Sequence, residues 1–240
     1  MLVQNWMRKE VITIDINDSL QKAMHLMKEH DIRRLPVIKR GKLVGIVTDR
    51  DIKEASASDA TSLEIHELLY LLLKVKIHEI MTKNPITVPL DYTVEETAEI
   101  LIENKISGIP VVDYEGQLAG IITQSDIFRV LISITGEKEK GIQFAFILED
   151  QPGSIKNITD ILRKYGGRIV SILSTNKGIP KGYRKVYIRI HEIDRFNLLD
   201  MKRELKEKSI FNYFIDHKEN KREIFGKEYK DFMQDIVSNY

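Results

Sequence analysis

The chain has 240 residues, 42% of them hydrophobic, which is enough apolar material for packed cores. Its 37 basic and 36 acidic residues give a formal net charge of +1, so no global charge attracts it to nucleic acid or to an anionic membrane. It has no cysteine, which excludes disulfides, thiolate metal sites and a cysteine nucleophile. No apolar run approaches the roughly 18 residues of a membrane span, and the region around Trp6 lacks the apolar core of a signal peptide. We therefore expect a cytoplasmic protein.

One short segment occurs twice in the chain. Residues 45–52 read GIVTDRDI, and residues 120–127 read GIITQSDI, 75 positions later. In each copy a threonine follows an apolar run, and an aspartate comes three positions after it. These pairs are Thr48 with Asp51 and Thr123 with Asp126. A duplicated polar pair predicts two equivalent ligand sites.

The repeat extends upstream of this segment. LPVI at residues 35–38 matches IPVV at residues 109–112, at an offset of 74. The offset therefore grows by one residue, and we place the insertion in the glycine-containing turn of a hairpin, where duplicated domains tolerate it. A period above about 50 residues indicates two duplicated domains and not a solenoid.

Each repeat predicts the order β-α-β-β-α. For the first copy we predict a strand at Val11–Asp15, a helix capped by Asp18 or Ser19, hairpin strands at Ile32–Ile38 and Lys42–Thr48 turning at Gly41, and a helix to Ala55. For the second copy we predict a strand at Ile86–Val88, a helix over Thr93–Asn104, a hairpin through Gly116 and a helix after Thr123. The predicted domains are residues 1–55 and 78–135, joined by a polar linker and connecting helix at 56–77.

A different pattern follows at residues 141–217. Its predicted order is βαββαβ, a ferredoxin-like arrangement, so the fold class of the whole chain is α/β (α+β). The predicted elements are strands at Ile142–Leu148, Arg168–Ser174, Lys185–His191 and Phe211–Asp216, and helices at Ile155–Tyr165 and Asp194–Lys208. Residues 218–240 read as a charged tail, partly an ordered helix with Phe225, Tyr229, Phe232 and Ile236 on one face.

The Thr-x-x-Asp pair has two interpretations. A helix start leaves backbone N–H groups unpaired and favours negative charge, and an aspartate in its first turn can accept hydrogen bonds from both hydroxyls of a ribose. The same spacing approximates a capping box, in which the side chains only satisfy the helix start. Both roles can coexist in one residue.

Residues 3–55 and 78–131 resemble a tandem pair of cystathionine-β-synthase (CBS) domains, known as a Bateman module. The resemblance rests on residues 35–37, 45–51, 109–111 and 120–126. It implies that the chain binds adenosine ligands such as AMP, ADP, ATP or S-adenosylmethionine as regulatory ligands. Asp51 and Asp126 would each hold a ribose, with Thr48 and Thr123 beside them.

The family's sites are shared between the two halves, so the resemblance implies pocket residues from both repeats. Next to the two aspartates these are Ile46, Arg50, Ile121 and Ser125. The base pocket of the Asp126 site would consist of Val11, Ile12, Ile32 and Arg33, and that of the Asp51 site of Pro85, Ile86, Ile106 and Ser107.

The two halves differ where phosphates would lie. The first half has Arg33-Arg34 before its second strand, whereas the second half has Ser107-Gly108. Because arginine suits phosphate by charge and by geometry, we predict that the two sites differ in affinity or in preferred phosphate number. The alternative is that these arginines only guard a solvated strand edge.

Residues 142–217 resemble an ACT domain, a small-molecule-sensing βαββαβ unit. The resemblance rests on residues 150–154 (DQPGS) and 165–172 (YGGRIVSI). It implies a turn at a subunit interface that binds an amino acid; the candidate residues are Asp150, Pro152, Gly153 and Ser154. The alternative is a purely dimerising unit.

The order of two CBS domains followed by ACT resembles the AcuB family, named for acetoin utilisation. This resemblance implies a link to acetoin or acetate catabolism. Enzyme signatures are missing from the sequence: the six histidines have no metal-ligand spacing, and neither a Gly-x-Ser-x-Gly elbow nor a P-loop occurs.

We therefore predict a non-catalytic, homodimeric regulator that senses adenosine nucleotides and acts on a partner enzyme, with no metal and no catalytic cofactor. The alternatives are an amino-acid sensor whose CBS sites are vestigial and an adaptor that binds only another protein.

Overall fold

The structure is a computed structural model that describes residues 1–59, 74–191 and 193–225. The chain divides into two compact units, Met1–Phe128 and Arg129–Tyr240. Most of the predicted connecting helix at 56–77 lies outside the described residues. Within the described ranges, none of the helices has the length and the apolar character needed to cross a bilayer.

The first unit contains both sequence repeats, and each has the predicted β-α-β-β-α order. The elements of the first repeat are β1 (Ile14–Asp15), α1 (Leu20–Glu29), β2 (Arg34–Lys39), β3 (Lys42–Thr48) and α2 (Asp49–Asp59). The second repeat follows α3 (Ile77–Ile80) and β4 (Thr82–Lys83). It comprises β5 (Val88–Pro89), α4 (Val94–Glu103), β6 (Gly108–Val112), β7 (Leu118–Thr123) and α5 (Gln124–Ile134), whose last residues belong to the second unit. The first strand of each repeat is shorter than predicted, and α2 runs four residues beyond the predicted end at Ala55.

Side chains at the predicted positions start the longer helices of the repeats. The Ser19 hydroxyl accepts a hydrogen bond from the Lys22 amide at 3.3 Å and so caps α1. Thr93 and Glu96 form a reciprocal capping box at the start of α4, in which the Thr93 amide donates to Glu96 at 2.8 Å. These contacts satisfy N–H groups that the helix itself leaves unpaired.

The two hairpins explain the change of offset between the repeats. A β-bulge lies between Val37 and Ile38, and the equivalent bulge in the second repeat lies between Val111 and Val112. After the bulge, Ile38 pairs with Leu43, whereas Val112 pairs with Leu118, so the second connection is one residue longer. The inserted residue is therefore in the hairpin turn, as predicted.

Segments that precede each repeat pair with the other repeat. Arg8 and Ile121 exchange backbone hydrogen bonds of 2.9 and 3.0 Å, and Thr82 in β4 pairs in the equivalent way with Ile46 in β3. The sheets have the orders β1-β2-β3-β4 and β5-β6-β7. The two halves of this unit are thus joined by backbone pairing in both directions.

The second unit has the βαββαβ order predicted from the sequence. Its elements are β8 (Ile142–Glu149), α6 (Ser154–Lys164), β9 (Arg168–Thr175), β10 (Tyr183–His191), α7 (Leu198–Lys208) and β11 (Ile210–Asp216), followed by β12 (Lys221–Ile224). They form one antiparallel sheet in the order β12-β11-β8-β10-β9. Its core includes four fully buried phenylalanines, Phe144, Phe146, Phe211 and Phe214.

The prediction of a helix in the charged tail is wrong for the first residues of the tail. Lys221–Ile224 is an edge strand that pairs with β11, and the preceding turn forms because the Asp216 carboxylate accepts hydrogen bonds from the amides of Lys218 and Glu219. Phe225 then stacks on Phe211 with 5.0 Å between ring centroids, which ties this strand to the core. The rest of the predicted helix, from residue 226 on, lies outside the described residues.

Candidate functional site

The first Thr-Asp pair lies where β3 ends and α2 begins. Asp51 Oδ2 accepts hydrogen bonds from the Thr48 amide and from the Thr48 hydroxyl, both at 2.8 Å. The Asp51 amide donates in turn to the Thr48 hydroxyl at 3.3 Å. The capping interpretation is therefore correct for this pair, and both side chains are half-buried.

The second pair repeats this geometry between β7 and α5. Asp126 Oδ2 accepts from the Thr123 amide at 2.9 Å and from the Thr123 hydroxyl at 2.6 Å. Asp126 is only 4% exposed, and the Nε of Arg8 lies 3.8 Å from its Oδ1. In the repeat alignment Arg8 corresponds to Thr82. At this aligned position, therefore, Asp126 has a basic neighbour and Asp51 does not.

The start of each of these helices is hydrogen-bonded to the residue that directly precedes the first hairpin strand, β2 or β6. The Asp49 amide donates to the Arg33 carbonyl at 3.0 Å, and the Gln124 amide donates to the Ser107 carbonyl at 3.2 Å. Arg33 and Ser107 thus lie beside the helix start of their own repeat. The resemblance to CBS domains implies that their side chains line the base pocket of the opposite repeat's aspartate, and this remains a prediction.

Arg34 is the predicted residue whose side chain crosses between the repeats. Its Nη1 donates to the Ser107 carbonyl and its Nη2 to the Ser107 hydroxyl, both at 2.7 Å. The guanidinium lies directly over Gly108, where an added Cβ would be 1.9 Å from Nη1. Arg33, in contrast, is exposed, as the strand-edge alternative expects.

The charge of Arg34 interacts with two acidic side chains. Burial lowers the pKa of Arg34, while the carboxylates of Asp49 and Asp126 act in the opposite direction and its neighbour Arg33 lowers it further. Asp126 belongs to the second Thr-Asp pair, so a cation of the first repeat acts on the aspartate of the second. Arginine stays protonated in proteins, so this positive charge persists at any physiological pH.

The other predicted pocket residues differ in their burial. Ile121 is buried, and Ile46 is half-buried on β3. Arg50 and Ser125 are exposed, and Arg50 forms an ion pair with Glu54 along its own helix at 3.2 Å. The remaining positions are half-buried except for exposed Ile86; they are Val11, Ile12, Ile32, Pro85 and Ile106.

Two charged residues near the site were missing from the sequence prediction, Arg8 and Asp49. Arg8 reaches Asp126 because its backbone pairs with Ile121, and Asp49 acts on Arg34 from the first turn of α2. An alignment of the two repeats could have identified both residues. It pairs Arg8 with Thr82 and Asp49 with Gln124, so each is a charged residue opposite an uncharged one.

The Asp150 turn in the second unit has its own set of partners. The Asp150 carboxylate forms an ion pair with Arg184 and accepts a hydrogen bond from Asn176 Nδ2 at 3.0 Å. Gly153 has a φ of +92°, a conformation that favours glycine, and α6 begins directly after it at Ser154. Pro152 precedes it in the same exposed turn. Because Asp150 is already paired, an amino-acid ligand there would have to compete with Arg184.

Comparisons with known proteins agree with the duplicated architecture. The CBS domain family model matches residues 3–58 and 77–133. A CBS domain-containing protein of Dictyostelium discoideum is 34% identical over 135 residues, which cover 56% of this chain and 93% of that protein. An inosine-5′-monophosphate dehydrogenase of Korarchaeum cryptofilum is 40% identical over 125 residues, which cover 52% of this chain but 23% of the dehydrogenase.

Among solved structures, a CBS domain pair in complex with 5′-methylthioadenosine and S-adenosyl-L-methionine is 36% identical to this chain. It superposes with a TM-score of 0.48 and covers 57% of this chain and 98% of the other.

Two β-α-β-β-α halves with a Thr-Asp pair at each second helix start define a tandem CBS domain pair. Since the Dictyostelium relative is matched over almost its full length, the chain belongs to the CBS domain family. The match with the dehydrogenase spans less than a quarter of that enzyme. The family match ends before the βαββαβ elements begin.

Proposed function

We propose that this chain is a non-catalytic regulatory protein whose CBS pair binds adenosine nucleotides or S-adenosylmethionine. The observation that carries the proposal is the pair of matching Thr-Asp arrangements, Thr48 with Asp51 and Thr123 with Asp126, each at a helix start. A helix start supplies N–H groups and a favourable dipole for a phosphate, next to a carboxylate that accepts sugar hydroxyls.

The capping contacts do not compete with this role. In both pairs they engage Oδ2 of the aspartate. An ionised carboxylate offers about four lone-pair sites on its two oxygens, so it can accept hydroxyl hydrogen bonds in addition to the capping ones. Capping also fixes the side-chain rotamer, so less conformational entropy is lost when a ribose binds.

The charges near the two aspartates support unequal sites. Arg8 lies 3.8 Å from Asp126, and Arg34 acts on the same carboxylate, whereas the Arg8 counterpart near Asp51 is Thr82. A site with more positive charge favours ligands with more phosphate. We propose that the Asp126 site prefers more highly phosphorylated nucleotides and the Asp51 site prefers AMP or an uncharged adenosine group.

The proposed mechanism is a shift between two arrangements of the repeats. A ligand changes such an equilibrium only by the difference between its affinities for the two states. The exchanged backbone segments and the Arg34–Ser107 contact connect the repeats, so a ligand at one site can act on the other. The second unit would serve as an ACT-type dimerising module that passes the change to a second copy and to a partner enzyme.

A thermal-shift screen of the full chain tests this function. AMP, ADP, ATP and S-adenosylmethionine are compared with GMP, GTP and a set of amino acids. At a ligand concentration 100 times Kd, stabilisation of the folded state is about 2.7 kcal/mol, enough for a clear rise in Tm. A rise with adenosine ligands alone supports the proposal. A response only to amino acids would favour the ACT-sensor alternative, and no response to any ligand would favour the adaptor.

The link to acetoin or acetate catabolism rests on the family resemblance of the domain order. If it is correct, co-purification with an enzyme of that metabolism should depend on the nucleotide that raises Tm. Recovery of the same partner with and without nucleotide would contradict nucleotide control.

A further inference from the structure

The sheet of the second unit has a polar group buried on the face opposite its helices. In β10 the alternate residues Val186, Ile188 and Ile190 point into the core beneath α6 and α7. Arg189 lies between them in sequence and so points to the opposite face, yet it is only 4% exposed. Its direct cross-strand neighbours are Gln143 on β8 and Ser171 on β9.

Some N–H groups of the Arg189 guanidinium have no hydrogen-bond acceptor. Nη2 donates one hydrogen bond to Gln143 Oε1 at 3.2 Å. Nε and Nη1 are buried and have no hydrogen-bond partner. A buried charge without hydrogen bonds is costly, and buried charges in folded proteins are normally paired. This arrangement therefore calls for an acceptor that bears negative charge.

Two further polar side chains, His217 and Tyr213, lie near Arg189. Nε2 of His217 is also buried without a hydrogen-bond partner, and burial together with the charges of Arg189 and Arg222 lowers the pKa of His217. The Tyr213 hydroxyl accepts a hydrogen bond from Gln143 Nε2 at 3.3 Å, so its own proton can be donated elsewhere. Polar side chains on the three neighbouring strands β11, β8 and β10 thus lie on one sheet face, with His217 following the end of β11.

A short segment before β8 lies against the same arginine and brings one acid near it. Ser171 Oγ donates to the Thr135 carbonyl at 3.0 Å, and a Cβ on Gly136 would be 3.5 Å from Cδ of Arg189. The next residue, exposed Glu137, raises the pKa of Arg189 through its negative charge, against the larger effect of burial. Glu137 thus acts on the guanidinium through space, while Nε and Nη1 keep their hydrogens unpaired.

We propose that the sheet face around Arg189 is a binding site for a small oxyanion, a carboxylate or a phosphate, with Glu137 as a built-in competitor. Arg189 supplies the charge and the Nε and Nη1 donors, Tyr213 supplies a further donor, and His217 supplies one in the tautomer that carries its hydrogen on Nε2. The site is distinct from the Asp150 turn and from both Thr-Asp pairs.

The test measures Tm of the full chain against increasing sodium acetate and sodium phosphate, with sodium chloride at matched ionic strength. Arg189→Met removes the guanidinium at similar volume. Arg163→Met removes the same charge from an exposed position on α6 and is the matched control. Glu137→Gln removes the competing charge from an exposed residue and leaves the sheet intact. Circular dichroism checks the fold of each variant.

We expect acetate or phosphate to raise Tm of the wild type more than chloride does, and the responding anion assigns the ligand as carboxylate or phosphate. Glu137→Gln should lower the half-saturating concentration roughly threefold. Arg189→Met should abolish the anion-specific rise, and Arg163→Met should keep it; this comparison also separates the site from phosphate bound by the CBS pair.

Equal responses to acetate, phosphate and chloride in both the wild type and Glu137→Gln would overturn the proposal. So would an Arg189→Met variant that responds like the wild type. If Arg189→Met does not fold, the comparison of the wild type with Glu137→Gln decides: a lower half-saturating concentration supports the site, and an unchanged one refutes it.

Discussion

The guanidinium of Arg34 donates two hydrogen bonds to Ser107, one to its carbonyl and one to its hydroxyl, both at 2.7 Å. Arg34 corresponds in the repeat to Gly108, and Ser107 corresponds to Arg33. The mirror-image contact would join Gly108 to Arg33, and glycine has no side chain to form it. The Arg34–Ser107 contact therefore breaks the symmetry of the duplicated unit. The contact occupies one donor on each of Nη1 and Nη2 of Arg34, the residue that the sequence analysis predicts to bind a phosphate.

Arg34→Met should reduce the difference between the two nucleotide sites. The variant removes a positive charge near Asp126, so affinity for ATP should fall by about tenfold, the loss of one charge-assisted hydrogen bond, while affinity for AMP should change less. Isothermal titration with each nucleotide measures this. Arg203→Met, which removes an exposed charge on α7, is the control. An equal loss for AMP and ATP would show that Arg34 does not distinguish the two nucleotides.

Asp51→Asn and Asp126→Asn should each remove one of the two binding events. Asparagine keeps a carbonyl oxygen for the capping contacts, but its amide replaces the second acceptor that ribose hydroxyls need. We expect affinity at the altered site to fall by at least about tenfold, as for a lost hydrogen bond to a charged group, with little change in Tm. Asp91→Asn is the control, because the first repeat naturally has Asn17 at the equivalent position.

Gly120→Ala should destabilise the first unit through the exchanged N-terminal segment. An added Cβ would lie 2.4 Å from Sδ of Met7 and 2.9 Å from the Arg8 carbonyl oxygen. Overpacking of this kind costs about 1–3 kcal/mol in the free energy of unfolding, measured by denaturant titration. Adding Met7→Ala should recover part of the loss. A double variant no more stable than Gly120→Ala would show that Met7 is not the obstacle.

Asp216 should contribute to the loss of stability in acid. Burial opposes its ionisation, but hydrogen bonds from Arg195 and from the Glu219 and Lys218 amides outweigh burial and lower its pKa below 3.8. Because the folded-state pKa is depressed, the stabilisation is present above the unfolded-state value and is lost as pH falls through the folded-state value.

Asp216→Asn should therefore cost about 2 kcal/mol in the free energy of unfolding at neutral pH and flatten the acid limb of the stability curve. Denaturant titrations from pH 7 to pH 3 check both effects. A variant whose curve stays parallel to that of the wild type would exclude Asp216 as the titrating group.

Local signals were sufficient for most of the secondary structure. The caps at Ser19 and Thr93 and the turn at Gly41, with its φ of +79°, are short-range features that depend on nearby residues alone. The duplicated Thr-Asp pairs were equally visible, because each pair is only three residues apart.

Long-range contacts were not available from the sequence. The pairing of Arg8 with Ile121 spans a single bridge and leaves no periodic pattern. Lys221–Ile224 is charged, as edge strands often are, and its strand conformation depends on a neighbour that the local pattern does not contain. The Arg34–Ser107 contact likewise depends on the packing of one repeat on the other.

The most direct test of nucleotide binding is isothermal titration of AMP, ADP and ATP into the wild type and into the Asp51→Asn/Asp126→Asn double variant. We predict two unequal binding events in the wild type for at least one of these ligands and none in the double variant, with both proteins folded by circular dichroism. Undiminished binding by the double variant, or no binding of any adenosine ligand by the wild type, would contradict the account.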